Sequence, residues 1–178
     1  MKRISTRDLV FMAVCLTLGL VVKRIVSPLT NALTDFFRIP GGSAAAGFSL
    51  AFLVIGKQMT RVSFAGTMMG FVQSLLALAL GFSGYQGIFA VISYTLPGLV
   101  IDLTALCMKK QGELYCFTAC TMACVAGAAV SNLLVFHLRG LSLVLWLLLA
   151  ALSGAVGGAC ADPVSRRLHP ILKEEKRK

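Results

Sequence analysis

Two apolar stretches, Val62 to Leu80 and Ile88 to Cys107, are separated by only the uncharged link Gly81-Phe82-Ser83-Gly84-Tyr85-Gln86-Gly87. A helix rises ~1.5 Å per residue, so either stretch matches the ~30 Å hydrocarbon layer of a bilayer. The pair reads as a membrane helical hairpin. Lys57 and Arg61 precede it and Lys109 and Lys110 follow it, which puts the charged ends on one side and the Tyr-Gln tip on the other. Because basic loops stay in the cytoplasm, this hairpin orients the whole chain.

Composition agrees with that reading. Of the 178 residues, 57% are hydrophobic and 13% charged, whereas a soluble domain carries about a quarter charged residues. The net charge of +10 would suggest nucleic acid in a soluble protein. Here the bases sit in short links and at the ends, so they read as topology signals beside anionic lipid, and no nucleic-acid partner is expected.

Further spans are expected at Leu9 to Val22, Ser43 to Gly56, Leu114 to Phe136 and Leu141 to Cys160. The first has no small-x-small cleavage pattern at its end, so it reads as a retained helix rather than a signal peptide. Ser27-Pro28 is expected to break it, leaving Leu29 to Phe37 as an amphipathic link over the mouth of the bundle. With six spans, Lys2, Arg3, Arg7, Lys57, Arg61, Lys109, Lys110 and the six bases after residue 160 fall on one side. Only Lys23, Arg24, Arg38 and Arg139 fall on the other, and Lys23 and Arg24 are read as snorkelling to the interface. The expected fold is an all-α integral membrane protein, a compact bundle of six transmembrane helices over residues 1–160 with both termini cytoplasmic. Residues 161–178 form a basic cytoplasmic tail that frays.

Small residues recur at four-residue spacing in Gly66/Gly70/Ser74, Ala123/Gly127/Ser131 and Ala150/Gly154/Gly158. Such stripes let helix backbones approach closely. Cys116, Cys120 and Cys124 share one helix side, where their parallel Cβ vectors disfavour cross-linking. Packing is their expected role; a thiolate metal or redox site is the lesser reading, with no C-x-x-C pair to support it.

Chemistry has few places to sit. Asp102 is an acidic residue well inside an apolar span, and burying it is costly enough to make it a functional candidate. Pairing with bases or with a neighbour's helix end is the main expectation; ion coupling and partner docking are the alternatives. Towards the other side the sequence places Tyr85, Gln86, Tyr94, Asn132 and Trp146, with Gln73 near the middle of its span. Rings to stack on, with amides and hydroxyls to orient, suit a pocket for a flat polar heterocycle. Interface belts of Tyr and Trp are the competing explanation. His137 and His169 make no metal cluster, and no nucleophile-base set, H-E-x-x-H or nucleotide-binding G-x-x-x-x-G-K-[ST] occurs, so neither an enzyme nor a resident metal or cofactor is expected.

Two local pieces stand out, Arg38-Ile39-Pro40-Gly41-Gly42-Ser43-Ala44-Ala45-Ala46-Gly47 and Pro97-Gly98-Leu99-Val100-Ile101-Asp102-Leu103. With the six short spans and the long link after the first, they resemble the substrate-binding S component of energy-coupling factor vitamin transporters, over roughly residues 7–160. That family carries an Ala-x-x-x-Ala pair in span 1 that contacts a transmembrane coupling subunit. Here Ala13-Val14-Cys15-Leu16-Thr17 departs from it at the second position. The resemblance implies capture of a small water-soluble vitamin or precursor, and uptake driven by a coupling subunit and two ATPases. Nickel and cobalt members have an N-terminal metal-binding histidine that this chain lacks, which leaves thiamine-related, pyrimidine, pteridine or similar substrates, the first slightly preferred. A small ion-coupled secondary transporter and a non-transporting scaffold are the other classes of answer.

Overall fold

The computed structural model describes residues 5–34, 42–60, 62–81, 84–108, 113–137 and 139–175, without the side chains of 33–34, 42–44, 84–86, 113, 136 and 169–175. All regular structure among them is helical: α1 Thr6–Thr34, α2 Gly42–Met59, α3 Ala65–Ala79, α4 Ala90–Cys107, α5 Glu113–Ser131 and α6 Leu141–Glu175. A 3₁₀ turn, Gly84–Phe89, leads into α4, and a π turn, Asn132–Phe136, closes α5. Four helical segments, Thr6–Ala32, Gly87–Cys107, Leu114–Val135 and Leu141–Leu168, are long and apolar enough to cross a membrane; Ala45–Met59 and Ala65–Ala79 are apolar but shorter.

Helix α2 is the hub. It touches all five other helices, which close around it in the order α1, α3, α4, α5, α6. Its small first half explains why it can sit there: Gly47 offers no side chain, and its backbone meets Ser153 and Gly157 of α6 directly. The Gly47 N–H donates to Ser153 Oγ at 3.1 Å, and the Cys120 thiol lies 3.6 Å from the Gly47 carbonyl oxygen. On the adjoining face of α6, Gly154 and Gly158 pack on the backbone of α5 at Cys120-Thr121 and Cys116-Phe117. The three stripe cysteines are buried and unbridged between these helices. Gly66 meets Gly98, and Gly70 meets the Tyr94 carbonyl, so α3 and α4 also touch backbone to backbone. Large apolar residues face outward instead, for example Val10, Val14, Leu18, Val21, Ile25 and Leu29 along α1. Only 28–33% of each long apolar window is buried inside the protein, an inside-small, outside-large distribution suited to lipid as the surrounding solvent.

The helices depart from the expected spans at three places. Helix α1 runs through Ser27-Pro28 to Thr34 instead of breaking there. Pro28 costs the helix one backbone donor, that to the Arg24 carbonyl, which helices in apolar surroundings tolerate; Thr30 Oγ1 donates separately to the Val26 and Ser27 carbonyls at 3.2 and 3.0 Å. Helix α6 continues past Cys160 to Glu175 where fraying was expected. Ala161 and Ser165 are buried on its inner face and Asp162 pairs with Arg166 at 2.9 Å, so tertiary contact and an i,i+4 pair sustain the extra turns. Helix α3 is shorter than its apolar stretch and begins only at Ala65, for a reason that lies with Asp102.

Candidate functional site

Asp102 lies near the end of α4, against the start of α3. Its Oδ1 accepts the Gly66 N–H at 3.0 Å, and its Oδ2 accepts both the Thr67 N–H and the Thr67 hydroxyl at 2.7 Å. Lys57 at the end of α2 completes the carboxylate, with Nζ 2.8 Å from Oδ1 and both side chains buried. The same ammonium donates to the Val62 carbonyl at 2.9 Å and to that of Ser63. A carboxylate from another helix therefore caps α3, where the first orphan N–H groups and the positive dipole end collect. Phe64 stands at the cap position and makes no side-chain cap bond. All these groups hold one another in place, and the arrangement is a clamp on the α2–α3 connection. It matches the pairing expected for Asp102 rather than an exchangeable ion site.

A different set runs from the middle of the bundle toward the end opposite Asp102. Gly19 of α1 packs on Ser49 of α2, where an added Cβ would lie 3.0 Å from the Ser49 carbonyl oxygen and 3.4 Å from its hydroxyl. Gln73 of α3, almost fully buried, donates Nε2–H to Ser49 Oγ at 3.0 Å. One helical turn beyond Gly19, Lys23 donates to the Tyr94 hydroxyl of α4 at 2.8 Å, with its Nζ 4.1 Å from the ring centroid. Tyr94, like Leu76, packs against the small cluster of Leu16, Leu20 and Ala77. Four helices thus bring an amide, a hydroxyl, a phenol and an ammonium into adjacent turns of an otherwise apolar interior. Polar groups cost free energy there unless paired, and here they are paired.

Of the residues singled out from sequence, Gln73 and Tyr94 belong to this set. Trp146, on α6, is 2% exposed and so is not part of an interface belt. Asn132 is half-buried at the start of the π turn, where its carbonyl accepts the His137 N–H at 2.8 Å. Nearby, Ser131 and Ser93 hydroxyls lie 3.4 Å apart between α5 and α4. The side chains of Tyr85 and Gln86 lie outside the described residues. Lys23 and Ser49 were not among the expected site residues. A lysine on the base-poor side of the chain was the available signal for the first; the second gave none, since serine in an apolar helix is commonplace.

Ala13 and Thr17 both stand exposed on α1, away from the buried Met12, Cys15 and Leu16. The Thr17 hydroxyl turns back to donate to the Ala13 and Val14 carbonyls at 2.9 and 3.0 Å, so that residue offers a small, internally satisfied surface. Among the described residues no group of three His, Cys, Asp or Glu is placed to hold a metal ion. No protein-family model matches the chain, and no curated protein or solved structure is similar to it.

Proposed function

We propose that the chain is the substrate-binding membrane subunit of an energy-coupling factor type importer, which captures a small water-soluble vitamin or precursor for partners to drive inward. In this reading all six helices cross the cell membrane, both termini are cytoplasmic, the Asp102 end faces the cytosol and the Lys23 end faces out. The observation that supports it most is the convergence from four helices of buried Ser49 and Gln73 with half-buried Lys23 and Tyr94, between the middle of the bundle and the end away from most of the bases. That is where a ligand arriving from outside would first meet polar partners. The ion-coupled alternative gives the coupling role to Asp102, and that carboxylate is already engaged by four donor groups.

Thermal-shift screening of the purified protein against a vitamin panel, followed by calorimetry of any hit, tests the capture directly. A saturable hit is the expected result; a panel with no hit removes the reading. Asn132→Leu replaces a half-buried amide near the same end, and affinity is expected to fall about tenfold, the usual loss for one hydrogen-bonding group. Unchanged affinity would take Asn132 out of the site.

Docking to the coupling subunit is assigned to the small exposed patch at Ala13 and Thr17. Trp at either position adds bulk where a neighbouring helix must come close. Co-purification with the coupling subunit and uptake are expected to be lost while ligand affinity stays near wild type. Normal uptake in both variants would remove this assignment.

A further inference from the structure

We infer that the ligand held at the Lys23 end carries a carboxylate, bound by the Lys23 ammonium together with the Tyr94 hydroxyl. This rests on the capture reading above and adds the substrate's charge to it.

A lysine near a helix end normally snorkels, stretching its stem so that the ammonium reaches water. Lys23 instead turns across to α4 and places Nζ both within hydrogen-bond distance of the Tyr94 oxygen and over the Tyr94 ring. Helix α1 continues beyond it to Thr34, so Lys23 is not at the helix terminus at all. Both residues are half-buried. Among the described residues no carboxylate stands at this end of the bundle; the ion pairs Lys57–Asp102 and Arg166–Asp162 lie at the other. Among the described residues, a phenol and its π face are what offset the cation's lost hydration.

Hydrogen-bond direction then selects the ligand. An ammonium has three donors and no acceptor, so the Tyr94 oxygen must accept from it. The phenol's own proton is left to donate elsewhere. Lys23 and Tyr94 together therefore present donors around a positive charge, and the group that complements them accepts only and is negative. One ammonium and one phenol match a single carboxylate, whose two oxygens can take a charge-assisted bond from each. A cationic ligand would meet like charge, and a neutral amide offers a single acceptor oxygen without the charge that strengthens the bond to an ammonium.

Acid and carboxamide forms of the same ring separate these cases. Pyridine-3-carboxylate against pyridine-3-carboxamide, biotin against its primary amide, and orotate against uracil would be titrated into the purified full-length chain by calorimetry, alongside the uncharged and cationic members of the vitamin panel. The acid of at least one pair is expected to bind, and its uncharged partner to bind at least about tenfold more weakly. Lys23→Met is expected to remove that preference, Lys23→Arg to keep it, and Tyr94→Phe to weaken the acid alone. Apo melting temperatures of the three variants serve to separate a binding loss from a folding loss. A saturable neutral or cationic ligand whose affinity is unchanged in Lys23→Met would overturn this inference while leaving capture intact. Absence of binding by every compound would overturn both.

Discussion

Asp102→Ala is expected to leave little folded protein. The substitution strands the buried Lys57 ammonium and uncaps α3, since the N–H groups of Gly66 and Thr67 lose their acceptor together. Breaking a buried ion pair from one side costs about 3–5 kcal/mol, and loss of a cap adds about 1. Against a total stability of roughly 5–15 kcal/mol this is among the largest single-residue effects a chain can show. The double variant Lys57→Met/Asp102→Leu tests the cause, because it removes both charges at once. It is expected to recover most of the lost thermal stability in detergent, short of the cap contribution. A single variant as stable as wild type would mean that the clamp is not needed.

The second large effect is expected at Gly47. Even the methyl of Gly47→Ala would overlap the Ser153 backbone, which is part of helix α6 and cannot swing aside. Overpacking typically costs about 1–3 kcal/mol, and this site belongs at or above the top of that range because backbone, not a flexible side chain, is in the way. The helix that would be displaced is the hub of the bundle. Size-exclusion of the solubilised protein should show loss of the monodisperse peak. Gly127→Ala provides the contrast: there an added Cβ meets mainly Pro97 Cγ, at 3.0 Å, which a small shift relieves, so a near-normal profile is expected. Equal behaviour of the two variants would contradict the α2–α6 crossing described above.

These two sites also show what the sequence made legible. Four-residue stripes of glycine and alanine announced close helix crossings, and the crossings at Gly66, Gly70, Gly154 and Gly158 use those stripes because only missing side chains let backbones touch. Asp102 announced itself as a carboxylate too costly to leave unpaired, though nothing local identified Lys57 rather than another base. Helix limits were less legible. Pro28 is a strong breaker in water, but in α1 the apolar face continues through Ile25 and Leu29 and one missing donor does not end the helix. The Lys23–Tyr94 pair was the least legible, since 71 residues separate its members and each alone looks like an interfacial anchor. Their meaning appears only when the folded chain sets α1 beside α4.

The account rests on the claim that this chain by itself captures a small water-soluble molecule. Native mass spectrometry of the purified chain, free of coupling partners and incubated with the vitamin panel, addresses that claim most directly. The predicted spectrum contains a discrete one-to-one complex with a single panel compound, competed away by unlabelled excess when that compound is isotopically marked. A spectrum containing only the bare polypeptide and its detergent or lipid adducts would contradict it.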